Sequence, residues 1–431
     1  MDAHPPPDPP TWYHHRGGAV TLGPPLEGLH HARFAVVGGG LAGLSTALSL
    51  AERGAGAETV LLEAVRVGHG ASGRNGGMIS AGFTRGLDRL VARLGRDRAR
   101  TLFALSREGV ALVRRRIRAH AIACDPVDGV AELSWFDDAR DLRAYVDLLR
   151  DFGHPAEFWP RERVRELWRS PRYFDAVFDP EGFHMDPLAY ARGCARAAAA
   201  AGVRLFEASP VRRLVREAGR WRLELPRGRV YADTVILAPG AHGPLPHPAL
   251  ARATLGVVSY VAVTVPAADR LARTVVAPHA AFDDRMATGY FRPLPDGRLL
   301  WGGHVTLFER RDRRRIARLV RRDLARVFPD LADLPFDFVW AGAMPFCRHK
   351  MPVVRPLDDG LWVATGFGGH GLNTTAMAGE LVAAALRDGD DRFRALDPFG
   401  LPPVLDGLGR LAAQLHYWAF RLHDAVRGLF V

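Results

Sequence analysis

Arg33-Phe-Ala-Val-Val37, Gly38-Gly-Gly40-Leu41-Ala42-Gly43, Leu44-Ser-Thr-Ala-Leu-Ser-Leu-Ala-Glu-Arg53 and Thr59-Val-Leu-Leu62-Glu63 follow one another near the start of the chain. They read as a strand, a glycine loop, a helix that Gly54 ends, and a second strand closed by an acid. Each glycine is there for a physical reason. Gly38 permits the tight turn, Gly40 lets the backbone approach a pyrophosphate, and Gly43 lets the helix pack closely on its strand. Leu41 and Ala42 open the helix, whose free N–H groups and positive dipole end face the phosphates. Glu63 lies 20 positions after Gly43, where a carboxylate accepts hydrogen bonds from a ribose diol, and Ala64 follows it. That carboxylate repels a 2′-phosphate, which argues against NADP. The pattern predicts an α/β fold around a dinucleotide.

Two further glycine clusters decide which dinucleotide. Gly68-His-Gly-Ala-Ser72-Gly73-Arg74-Asn75-Gly76-Gly77-Met78 is too rich in glycine for an ordinary helix or strand. Its small residues suit a backbone that passes close to a second part of the cofactor. Gly366-Phe-Gly368-Gly369-His370-Gly371-Leu372 follows the strand-like Leu361-Trp-Val-Ala-Thr365 and opens a helix over 373–386, with no second strand and acid behind it. Between the two clusters, Arg229-Val-Tyr-Ala-Asp-Thr-Val-Ile-Leu-Ala238-Pro-Gly240 is a strand ending in a tight turn. Loops converging from distant parts of the chain fit one long, extended ligand, FAD rather than NAD.

The rest of the composition mostly excludes. The chain has 431 residues, 48% hydrophobic and 24% charged, ordinary for a globular enzyme of one large or two interleaved domains. Prolines crowd residues 1–10, which are expected to be disordered. Of 58 basic residues only Lys350 is a lysine, and the net charge is +11. The densest arginine cluster, Arg310 to Arg322, is interleaved with Ile316, Leu319, Val320, Leu324 and Val327, which marks one apolar helix face with arginines on the solvated side. It is read as a basic surface rather than a nucleic-acid site. Cys124, Cys194 and Cys347 form no CxxC pair and no disulfide framework, and no metal site is expected. No signal peptide and no membrane span is read, so the expected compartment is the cytoplasm. The alternating aromatic and basic residues of 416–431 leave room for docking on the inner membrane or a partner, beside the plainer reading of a terminal helix packed on its own domain.

These motifs resemble the D-amino-acid-oxidase superfamily of flavoproteins, nearest its γ-glutamylputrescine oxidase-like and glycine/sarcosine oxidase-like members. The resemblance is carried by Thr11-Trp-Tyr with Pro24-Pro-Leu-Glu, the Gly38–Gly43 loop, Ala71-Ser-Gly-Arg-Asn-Gly-Gly77, Gly182-Phe-His-Met-Asp-Pro187 and Gly366-Phe-Gly-Gly-His-Gly371. It implies a discontinuous Rossmann-like FAD-binding domain (11–85, 175–250, 340–400), an α+β substrate domain on an antiparallel sheet (86–174, 251–339) and a helical tail (401–431). It also implies that Val211 touches the adenine through its backbone, and that a hydride passes from a carbon bearing nitrogen to the flavin. Gly256–Thr264, and Thr288–Arg292 with Arg298–Gly303 joined through Pro295-Asp-Gly297, read as strands of that sheet.

By the same resemblance, Arg74 and His370 add positive charge near the flavin beside the helix that starts at Leu372, and Tyr290 and Arg292 are candidate pocket residues. Met344-Pro345 stands where amino-acid oxidases resemble one another in an Arg-Pro pair, and Asn373 where sarcosine oxidase-like members have a lysine. Both expected carboxylate-binding cations are missing. An amine is therefore expected, or a substrate whose carboxylate lies far from the reacting carbon. Leu300 matches the lysine that aids oxygen reduction, which leaves the electron acceptor open between O2 and a quinone or protein carrier. Cys347 matches a covalent flavin attachment point, with Arg348, His349 and Lys350 expected to favour its thiolate. The competing readings are an enzyme acting on a modified tRNA base and a flavin-binding partner subunit without turnover; the oligomeric state is not specified by the sequence.

Overall fold

The structure is a computed structural model that describes residues 10–241, 247–285, 289–310, 312–404 and 406–427. The proline-crowded residues 1–9, Thr288, Arg311 and residues 428–431 lie outside these.

The strand read from Arg33–Val37 runs over Gly28–Val37, and its two halves have different neighbours. All of it pairs in parallel with the Gly228–Leu237 strand, but only Phe34–Val37 also pairs with Thr59–Leu62. The second half is therefore central in its sheet and apolar on both faces, which is why periodicity showed it clearly. The sheet has the order Val353–Asp358, Leu361–Thr365, Gly228–Leu237, Gly28–Val37, Thr59–Leu62, Arg204–Phe206, with the Arg213–Glu217 and Arg220–Leu225 hairpin leaning on Gly228–Leu237. Five of these strands run parallel and meet the glycine loops at their ends.

The Leu41–Leu50 helix carries no charge and all ten residues are buried, as expected of a helix that is apolar all round. Helix Gly371–Asp388 crosses it so closely that a Cβ on Gly379 meets the Ser45 and Thr46 backbone at 2.5 Å. Helix Arg96–Ala119 approaches next, with Gly109 set 2.3 Å, Cβ to oxygen, from the Asn373 carbonyl.

The second sheet has the order Phe336–Cys347, Thr254–Thr264, Leu299–Thr306, Tyr290–Pro293, Ala280–Asp283, Val127–Leu133, Ala176–His184, Met78–Ile79, with Glu157–Trp159 also on Ala176–His184. Every pair is antiparallel except Ala280–Asp283 with Val127–Leu133. Its core is aromatic. Phe291 and Trp301 are cross-strand partners stacked at 5.1 Å, and helix Arg313–Val327 covers them with Ile316, Val320, Leu324 and Val327 while its arginines stay exposed.

All strands of the first sheet fall within segments 11–85, 175–250 and 340–400. Those segments also supply Met78–Ile79, Ala176–His184 and the end of Phe336–Cys347 to the second sheet. Helix Arg96–Ala119, from segment 86–174, packs in the core of the first. The two units are interleaved through shared strands rather than joined by linkers.

Candidate active site

Gly38 sits at φ +116, a conformation that side chains resist, and a Cβ there falls 2.2 Å from the Ala238 carbonyl. Gly43 is equally constrained, with its Cβ direction 1.9 Å from the Gly38 oxygen. The glycine loop is thus wedged between the Gly228–Leu237 strand and its own helix. Glu63 closes it from the other side: its Oε2 accepts the Gly39 N–H at 2.6 Å and its Oε1 accepts the Val65 N–H at 2.8 Å. Burial raises its carboxyl above the usual range, and those N–H groups work against the rise. Ser72, in a single turn at Ala71–Gly73, accepts the Leu41 N–H at 2.9 Å, so the second glycine cluster backs directly onto the first.

The loops enclose one cavity of about 1440 Å³, larger than the 300–1,000 Å³ typical of small-ligand pockets and suited to an extended ligand. It runs from Glu63, Val211 and Gly240 past Arg74 to His370 and Tyr290. Side chains added at Gly240, Gly369 or Gly371 meet nothing within 4 Å. At the far end Thr365 Oγ1 is buried with no hydrogen-bond partner among the described residues, and helix Gly371–Asp388 starts without a side-chain cap. An uncapped helix N-terminus opening onto a glycine-walled cavity fits the polar edge of a flavin, so the residues present suit FAD.

Of the residues expected to hold the cofactor or react, all line this cavity except Gly43, Gly73 and Arg292. Gly43 and Gly73 act one layer back, where a Cβ collides with the carbonyls of Gly38 and Gly68. Arg292 is a correction. It is only 3% exposed, and its guanidinium is consumed by Gly76 O at 2.6 Å, Met185 O at 2.9 Å, Tyr13 Oη at 3.2 Å and His184 Nδ1 at 3.2 Å. It pins the second glycine cluster to the N-terminal Thr11-Trp-Tyr segment, whose Tyr13 hydroxyl also donates to Asn75 O.

His370 corrects the expected charge. Burial lowers its pKa, so the ring is neutral, with Nε2 3.3 Å from Ser80 Oγ. Positive potential there comes from the helix N-terminus instead. Arg74 lines the cavity while Nε donates to His69 O at 3.0 Å. Cys347 is 2% exposed, its Sγ packs against Gly366, and burial pushes its thiol up to about 12. Arg348, His349 and Lys350 therefore do not favour a thiolate. Leu300 is fully buried in the cluster of Trp12 and Trp340 and is not among the residues that line the cavity. Met344 and Asn373 do line it, and Asn373 Nδ2 is spent on Gly82 O at 3.0 Å.

The opposite wall was missed by sequence reasoning. Glu132, Asp179, Asp283 and Asp284 reach it from three separate strands or their ends. Asp283 is held in a bidentate pair by Arg285 (2.6 and 2.9 Å), which stacks over Trp135 at 3.8 Å. Asp284 accepts the Trp135 N–H, and burial raises it to about 6. The Glu132 carboxyl makes no hydrogen bond or ion pair among the described residues, and burial, with Asp284 and Asp283 nearby, raises it to about 7. Four acids face one paired arginine and His154, which lies 3.1 Å from Asp179, so acids outnumber the basic groups on this wall. An acid alternating with Ala131 and Leu133 in a half-buried strand looks like an outward polar residue, so no local signal marked Glu132. Tyr290 stands on a third side, bonded to Ser259, its ring over Gly76 and Gly302. The mouth is roofed by helix Asp406–Arg427 through Ala413, Tyr417 and Phe420, beside Arg85 and Lys350.

Comparison with known proteins agrees with this geometry. Residues 33–385 match the family described as DAO, FAD dependent oxidoreductase. The chain is 31% identical over 414 residues to a probable oxidoreductase OrdL of Haemophilus influenzae, covering 94% of each chain. It is 34% identical over 364 residues to the γ-glutamylputrescine oxidoreductase of Escherichia coli, covering 84% of each. The crystal structure of glycine oxidase from Geobacillus kaustophilus superposes with a TM-score of 0.71 at 23% identity, over 86% of this chain and 99% of that one, a likeness of fold.

Proposed function

Because the chain belongs to the DAO family of FAD-dependent oxidoreductases, we propose that it oxidises the C–N bond of an amine that carries its positive charge into an acid-walled chamber. The supporting observation is the wall itself: an unpaired Glu132, with Asp179 and Asp284, and an Arg285 already held by Asp283. Such a wall attracts an ammonium group and repels a carboxylate next to the reacting carbon. Lys350 and Arg85, at the mouth, give a distant carboxylate a place. The same wall disfavours a polyanion, which weighs against a tRNA base as substrate.

When bound, FAD supplies the hydride acceptor. The protein's residues do the rest. Glu63 and the Leu41–Leu50 helix start hold the adenylate end, with Val211 and Gly240 beside them. Arg74 and the N–H groups that open helix Gly371–Asp388 offset negative charge at the far end. Glu132 receives the ammonium group, and neutral His370 orients the reacting nitrogen as a hydrogen-bond acceptor or donor. Asn373 and Arg292 fix the loops against which the substrate rests. The burial of Cys347, which raises its thiol, supports a cofactor held without a covalent bond.

Electrons pass on either to O2 or to a quinone or protein carrier; stopped-flow reoxidation of the reduced enzyme by air separates these. The compartment belongs to the same proposal, the cytoplasm; no described helix is long and apolar enough to cross a membrane. Anaerobic mixing with a panel of amines, amino acids and tRNA tests the whole reading. Bleaching of the flavin by amines is expected; bleaching only by glycine, sarcosine or D-alanine sinks it, and bleaching by nothing leaves a binding subunit without turnover.

A further inference from the structure

Helix Asp406–Arg427 is apolar on two opposite faces. Its inner face is accounted for: Ala413, Tyr417 and Phe420 roof the cavity mouth, and Gln414 accepts from Thr306 Oγ1 and Leu307 N, both at 3.0 Å. The outer face is not. Leu411, Leu415, Trp418, Leu422 and Val426 recur at helical spacing along it, between 47% and 66% exposed. Among the described residues nine large apolar side chains are exposed, and five belong to this stripe. A sixth, Phe308, at 52%, follows the Leu307 anchor directly. A surface helix normally turns polar residues outward, and a contiguous apolar patch of this kind marks a contact surface.

The charges beside the stripe identify what covers it. Arg410 and Arg421 are exposed along its edge. The neighbouring helix Arg313–Val327 packs on the same strand, Leu299–Thr306, where Tyr417 of the tail and Asp323 lie close together. That helix presents seven exposed arginines against one acid, Asp323, which His304 holds at 3.1 Å. A second copy placed on the stripe sets two cationic faces against each other. A surface of lipid phosphates accepts the arginines and, beneath them, the leucines and the indole.

We propose that the outer face of this terminal helix, with the adjoining arginine helix, seats the enzyme on the surface of an anionic bilayer. The helix that touches lipid then also roofs the chamber, so the mouth opens at the membrane; only this last clause rests on the reading of the cavity as an active site.

The full-length holoenzyme, sedimented with vesicles of phosphatidylcholine with and without phosphatidylglycerol, tests it. Sedimentation with the anionic vesicles alone, reversed by salt, is expected. The combined variant Leu415→Gln, Trp418→Gln, Leu422→Gln lowers the partition by more than about tenfold, less than removing three large apolar side chains from an interface costs. Arg318→Gln with Arg322→Gln weakens it through charge alone, leaving helix packing untouched. All these side chains point away from the cavity, so flavin bleaching by amines stays at wild-type rate. Wild-type protein left in the supernatant overturns the proposal. So does a wild-type dimer in solution that the triple variant converts to monomer, for then a second copy covers the stripe. Vesicle binding without bleaching by any amine keeps the docking and removes the amine reading; bleaching without vesicle binding does the reverse.

Discussion

Glu132 has its folded-state carboxyl at about 7, against an ordinary value near 4.5. The unfolded chain releases that proton first, so as pH climbs from 4.5 to 7 the folded state holds more protons and stability declines. Glu132→Gln removes the cost, and the unliganded enzyme at pH 8 is expected to gain roughly 2–3 kcal/mol, read by denaturant unfolding. The same substitution removes the attraction for ammonium. KM for a cationic amine in the wild type should fall as pH rises through 7, and that dependence should vanish in Glu132→Gln while a neutral analogue is unaffected. Cys347→Ser is expected to bind FAD as the wild type does, and acid precipitation of either should leave the yellow colour in the supernatant. Colour retained in the wild-type pellet and lost with serine contradicts the buried, protonated thiol. Neither residue's state was open to sequence reasoning. The basic neighbours of Cys347 suggested a thiolate, but proximity in sequence placed none of them where its charge outweighs desolvation.

At the level of elements, the strands and helices of the nucleotide half were legible because their signals are local. Thr59–Leu62 and Leu361–Thr365 lie where periodicity put them, and Gly54 at φ +77 ends the first helix as its position suggested. The helix read over 373–386 extends to Gly371–Asp388. What pattern did not show is how tightly helices Leu41–Leu50 and Gly371–Asp388 cross, because the reason is a Cβ absent at Gly379, 334 positions from Ser45. Gly379→Ala forces the two backbones apart and is expected to cost about 1–3 kcal/mol, with weaker FAD retention, since both helices present their N-termini to the cavity. Thermal unfolding with and without added FAD checks this; an unchanged Tm in both conditions means the crossing yields without strain. The arginine-rich stretch was also legible as a helix with one apolar side, although its place beside the tail was not.

Across the whole molecule, Arg292 ties together three regions more than 60 residues apart in sequence: Tyr13, the Gly76 carbonyl and the Met185 carbonyl. Arg292→Met takes the guanidinium donors from the buried Gly76 and Met185 carbonyls, while Tyr13 keeps its bond to Asn75 O, an expected loss of at least about 3 kcal/mol. Free flavin should also appear on gel filtration, whereas a residue acting only on substrate lowers turnover with FAD retained. The sequence by itself determined the dinucleotide half. There the requirement is backbone N–H groups, a helix dipole and missing Cβ atoms within one short stretch, so composition and spacing carry the information. The tertiary structure alone decided the substrate half: an acidic wall drawn from Val127–Leu133, Ala176–His184 and Ala280–Asp283, a neutral His370, and a roof from the last helix. Charge and protonation there follow from desolvation and Coulomb forces between groups that meet only when two sheets have interleaved, and no run of neighbouring residues records those distances.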